Sequence, residues 1–69
     1  MTKTEIGNLI SVRREFLHLL QKDLAEMSGV AIKTIHLIES GSGNPSMQTL
    51  EKLATVLGME LSLQIKKVN

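Results

Sequence analysis

A chain of 69 residues whose one aromatic side chain is Phe16 must build a single small core from aliphatic residues, with no room for a second. It has no cysteine, which excludes a disulfide staple and a thiolate metal site, and its 42% hydrophobic content argues against disorder. The net charge of +1 leaves nucleic-acid binding open only if the eight Lys and Arg residues gather on one face.

No signal-peptide run opens the chain. No stretch approaches the roughly 18 apolar residues of a membrane span, so a cytoplasmic protein without a membrane partner is expected. Thr2 stands three residues before Glu5 in a capping-box pattern. Ile6, Leu9, Ile10, Phe16 and Leu17 then recur at helical spacing, predicting a first helix over about 5–18. A second helix is expected over about 21–28, with Leu24, Ala25 and Met27 inward and Gly29 as its left-handed stop. A third follows over about 32–39, closed by Gly41. Two short helices joined across a glycine turn make a helix-turn-helix signature.

The stretch "SGSGNPS", 40–46, is a loop, and its Ser46 is a good N-cap for a fourth helix over about 47–57. That helix places Leu50, Leu53, Ala54 and Leu57 on one face and ends at Gly58. The tail then changes period. Leu61, Leu63 and Ile65 alternate with Glu60, Ser62, Gln64 and Lys66, which predicts a strand with one apolar face. A lone strand is unstable in water, and nothing else in the chain reads as one. The same strand of a second copy is the simplest partner, giving a two-fold homodimer; the alternatives are a continued helix or a loosely packed tail.

With these elements in place, residues 21–58, "QKDLAEMSGVAIKTIHLIESGSGNPSMQTLEKLATVLG", resemble the phage-repressor and Cro (XRE) type of helix-turn-helix domain. Gln21, Leu24-Ala25, Gly29-Val30, Thr34-Ile35, Ile38-Glu39, Gly41 and the "NPS…TL…LA…LG" frame all stand at the family's spacing. The tail "GMELSLQIKK" further resembles HipB-type antitoxins, in which a C-terminal strand pairs across the dimer. The resemblance implies an all-α helix-turn-helix domain of four to five helices, with a C-terminal β-strand pairing across a homodimer. Residues 1–58 would be the DNA-binding domain and 59–69 the dimerisation strand and tail.

The resemblance also implies residue roles. Ala31, Ile32, Lys33 and Leu37 fall where the family reads base edges. Gln21 falls at a phosphate-contacting helix start, and Thr34, Ser42, Gly43 and Asn44 lie near backbone phosphates. Arg14 and Glu39 match a structural ion pair between the first helix and the end of the third. Leu20 and Ala31 stand where the family commonly has a capping Ser or Thr, and Leu37 and Ser42 where a basic residue is frequent. Each of these departures removes a cap or some phosphate attraction.

At about 100° per residue, Ile35 and Ile38 define the buried face of the third helix. Ile32 lies at its edge, open to a boundary-packing or a base-contacting reading. Lys33, Thr34, His36 and Leu37 face outward. Lys33 suits guanine O6 or N7 and Leu37 a thymine methyl, although a lone outward Leu also occurs without purpose. His36 reads either as a phosphate donor or as a plain exposed residue, and Lys22 adds a phosphate contact.

Three functions follow. The first is a repressor of palindromic operator DNA, an autoregulating antitoxin with a HipA-type kinase toxin as a further partner. The second is a protein-interaction module, or a free-standing or phage regulator, with weak DNA binding. The third, an enzyme, has little behind it. Asp23, Glu26, His18 and His36 form no metal-ligand or acid–base spacing, and "GSGN" lacks the strand-then-helix context of a nucleotide loop. No catalytic residue, cofactor or metal is expected.

Overall fold

The computed structural model describes residues 1–67. They form four helices: α1 (Lys3–Phe16), α2 (Gln21–Ser28), α3 (Ile32–Glu39) and α4 (Met47–Leu57). Helix α1 starts earlier than the apolar spacing indicates because Thr2 is its N-cap. Thr2 Oγ1 accepts the Glu5 N–H at 3.1 Å, and Glu5 Oε1 accepts the Thr2 N–H at 2.9 Å. It also ends earlier, at Phe16, because His18 turns left-handed with φ 59°. The N–H groups of His18 and Leu19 then donate to the carbonyls of Glu15 and Arg14 at 2.9 and 3.1 Å, closing the helix end.

The core is aliphatic, as the composition requires. Leu24, Ile35, Leu53 and Leu57 are fully buried, and Ile10, Val30 and Ile38 pack with them. Helices α1 and α2 each pack on both α3 and α4. The inward face of α1 runs through Ile6, Gly7, Ile10 and Arg14, so it includes a glycine and an arginine that apolar spacing passes over. At about 100° per residue, Leu9 and Phe16 lie more than a quarter-turn off that face. Both are exposed, as is the helix-ending Leu17.

On α2 the inward arc takes in Gln21, Leu24, Ala25 and Ser28. Met27 falls outside it and is exposed, not inward as its spacing from Leu24 suggests. Ile32, in the first turn of α3, is 49% exposed and belongs to the outer surface rather than the core.

Gly7 sets how close α1 and α3 come. A Cβ there would collide with the carbonyl oxygen of Ile38 and sit 3.1 Å from that of Glu39. Arg13, on the same helix, donates from Nε to the Leu57 carbonyl at 2.8 Å and so satisfies the end of α4. Its guanidinium lies 5.1 Å from the centre of the Phe16 ring, which gives that exposed ring a partner.

After Gly58 the Met59 N–H donates to the Ala54 carbonyl at 2.8 Å, and regular structure stops. The strand expected over Leu61, Leu63 and Ile65 is not part of this fold, which holds four helices and no strand among the described residues. The reason is physical: a strand needs a ladder partner, and every other element among the described residues is helical or a turn. Leu63 and Ile65 are accordingly 97% and 99% exposed. The last two residues of the expected tail, 68 and 69, lie outside the described residues.

Candidate nucleic-acid interface

Helix α3 is held at both ends by groups that never reach its outer face. At its start Gly29, with φ 75°, ends α2 by donating to the Ala25 carbonyl at 2.9 Å. Val30 then turns into the core, its N–H donating to Ser28 Oγ at 3.2 Å. At its far end Glu39 receives a two-pronged grip from Arg14, with Nε to Oε2 at 2.7 Å and Nη2 to Oε1 at 2.9 Å.

The expected Arg14–Glu39 ion pair is therefore present, with side chains only 12% and 7% exposed. Arg14 Nη1 also donates to the Leu19 carbonyl at 2.6 Å, and Gln21 Nε2 donates to Glu39 Oε1 at 3.1 Å. One network thus ties α1, the α1–α2 turn, the start of α2 and the end of α3. The Glu39 carboxylate, as hydrogen-bond acceptor, raises the pKa of the Arg14 guanidinium further above its ordinary value. Gln21, expected at a phosphate, spends one amide hydrogen on this network and keeps the other.

Neither α2 nor α3 has a side-chain cap at its start, since Leu20 and Ala31 carry no acceptor. The two starts differ in charge. Asp23 lies in the first turn of α2 and accepts the Leu20 N–H at 2.8 Å, whereas the first turn of α3 holds no acid. The amide end of α3 is the better place for an anion.

The outward side of α3 presents Ala31, Ile32, Lys33, His36 and Leu37, all exposed, with Thr34 half-buried beside them. Thr34, Leu37, Ser42, Gly43 and Asn44 come together around a depression of about 220 Å³ between α3 and the following loop. Leu37, 40% exposed, is not an isolated apolar side chain. Its Cβ lies 3.6 Å from where a Gly43 Cβ would stand. Its carbonyl accepts both the Ser42 N–H at 2.8 Å and the Ser40 hydroxyl at 2.9 Å. Lys22 is exposed on a separate element, the first turn of α2.

Sequence reasoning missed Gly7 and Arg13. A glycine inside a helical pattern is itself a signal of close backbone approach. Arg13 gives no comparable signal, because its acceptor lies 44 residues away.

Comparison with known proteins agrees with this geometry. A family model described as helix-turn-helix matches residues 10–64, which take in the C-terminal part of α1, all of α2, α3 and α4, and the base of the tail. An "Uncharacterized HTH-type transcriptional regulator" of Haemophilus influenzae is 43% identical over 58 residues, covering 84% of this chain and 58% of that protein. The chain therefore spans about three-fifths of the length of the relative it matches. By its residues, its fold and this match, the chain belongs to the helix-turn-helix family of the phage-repressor (XRE) type.

Proposed function

We propose that this chain is a DNA-binding transcriptional regulator, not an enzyme, and that it represses by binding palindromic operator DNA as a dimer through α3. The observation that carries the reading is the outward side of α3, largely exposed while the mostly buried Arg14–Glu39 pair holds the end of the helix. Family membership and the naming of the Haemophilus influenzae relative as a transcriptional regulator support it.

In this reading Ala31, Ile32, Lys33 and Leu37 meet base edges in the major groove. Gln21, Lys22, Thr34, His36, Ser42, Gly43 and Asn44 meet phosphates. Residues 1–58 form the DNA-binding unit. Leu61, Leu63 and Ile65 pair with a second copy, so that two α3 helices address half-sites one helical turn apart. The finer role is an autoregulating antitoxin of the cytoplasm, with a HipA-type kinase as its toxin, supported by the tail pattern "GMELSLQIKK".

A second reading, a protein-interaction module or a free-standing or phage regulator, draws on Ile32 and Leu37. Both are apolar side chains of α3, 49% and 40% exposed. Fluorescence anisotropy with the DNA upstream of the gene separates the two. The repressor reading expects clear preference over scrambled DNA and a steep fall of affinity with salt. It also expects Lys33→Ala to cost about 1–3 kcal/mol on the operator alone. Equal binding to operator and scrambled DNA at moderate salt overturns it. Co-purification with a HipA-type kinase tests the antitoxin role, and its absence leaves a free-standing regulator.

A further inference from the structure

The tail leaves the body as an arm. The radius of gyration is 12.4 Å, against about 11 Å for a compact chain of this length. Leu63 and Ile65 are 97% and 99% exposed, and no backbone hydrogen bond joins residues 60–67 to the helices among the described residues. At the base of the arm, Leu61 borders an apolar groove of about 230 Å³ between α1 and α4, lined also by Ile6, Leu9, Leu50 and Met59.

The order of residues in the arm is self-complementary. Reversed about Leu63, "ELSLQIK" sets Leu63 against itself, Leu61 against Ile65, Ser62 against Gln64, and Glu60 against Lys66. We infer that the arm pairs antiparallel with the arm of a second copy in one register, with its two-fold axis at Leu63. This rests on the dimer reading above and specifies its pairing.

Competing registers fail on pattern or charge. A shift that changes the pairing sum by one sets apolar residues against polar ones on both faces. Centring on Ser62 leaves Glu60 opposite Gln64 and Lys66 opposite Gly58, so both charges lose their partner. Centring on Gln64 sets Leu61 against Lys67. Only the Leu63 register keeps the apolar side continuous and matches each Glu60 with a Lys66, twice by symmetry. It also brings the partner's Ile65 beside Leu61, over the open groove at the base of the arm.

The chain has no cysteine, so single cysteines report the register cleanly. Directly opposed residues have Cα atoms about 4.5–5.5 Å apart, within disulfide reach. Under oxidation of the full chain, Leu63→Cys should link to itself rapidly. Leu61→Cys and Ile65→Cys should each fail alone, being about 13 Å from their own copies, and should link when mixed. Glu60→Lys or Lys66→Glu should weaken self-association about tenfold by light scattering, and the two together should restore it. A dimeric chain in which Leu61→Cys links to itself first, or in which the double exchange restores nothing, overturns the register and leaves the dimer standing. A wild-type chain that stays monomeric overturns both.

Discussion

The outer helices and the inner pair begin in opposite ways. Helix α1 opens on the reciprocal Thr2–Glu5 box. Helix α4 opens on Ser46, whose Oγ accepts the Thr49 N–H at 3.1 Å and donates to Thr49 Oγ1 at 2.9 Å. Helices α2 and α3 open on Leu20 and Ala31, with no side-chain cap. The outer helices satisfy their own first turns. The inner two, each only eight residues long, depend on burial of Leu24, Ile35 and Ile38 and on the Arg14–Glu39 network. The amide end of α3, with no acid in its first turn, stays open to an external anion, while that of α2 already carries Asp23.

The sharpest way to break this contrast is to push the outer frame off the inner pair. Gly7→Ala drives a Cβ into the Ile38 carbonyl and should cost about 3 kcal/mol or more, lowering the melting temperature by roughly 12 °C or more. A melting temperature within a few degrees of wild type would mean that α1 and α3 part easily. Next comes the network itself. Arg14→Ala or Glu39→Ala leaves a mostly buried charge unpaired and should cost about 2–4 kcal/mol in urea unfolding. The double change Arg14→Met with Glu39→Leu should cost less than either single loss, and an equal or greater cost refutes the unpaired-charge account.

The caps sharpen the comparison with smaller effects of opposite sign. Ser46→Ala should cost about 1 kcal/mol, whereas Leu20→Ser or Ala31→Ser should gain about 0.5–1 kcal/mol. No gain at either position would show that the inner helix starts are already satisfied. Smallest is the acid dependence of the α1 cap. The Thr2 backbone and side-chain hydrogen bonds hold the Glu5 carboxyl below its ordinary pKa. Its contribution is therefore complete above the unfolded pKa and is lost as pH falls through the folded value. Glu5→Gln should flatten the acid side of the stability profile, measured by denaturant unfolding from pH 7 down to about 3.

The bounds of α2, α3 and α4, the caps at Thr2 and Ser46 and the Arg14–Glu39 pair were legible in the sequence because each rests on a local signal or a family spacing. Less legible was which apolar residues face inward. Periodicity finds an apolar stripe, but the inward face of α1 includes Gly7 and Arg14, and the stripe's Leu9 and Phe16 are left outside. Met27 failed for a related reason, since short helices bury a narrow arc and residues at its edge stay in water; Ile32, open from its spacing to packing or to contact, is 49% exposed. Of the residues the 100° rule sets outward on α3, Lys33, His36 and Leu37 are exposed, whereas Thr34 is half-buried and Leu37 also leans on the loop at Gly43. The tail's alternation was plain, but a strand is a property of two segments, and one chain supplies one.

The close approach at Gly7 has a consequence for how this scaffold can change. The groups that set the position of α3 are Gly7 behind it, Ile35 and Ile38 beneath it and Glu39 at its end. None of them is among the outward residues Lys33, His36 and Leu37. Placement and surface chemistry are therefore written in separate letters of the same helix. The outward letters can be rewritten with the helix still seated on a backbone stop that has no rotamers to readjust.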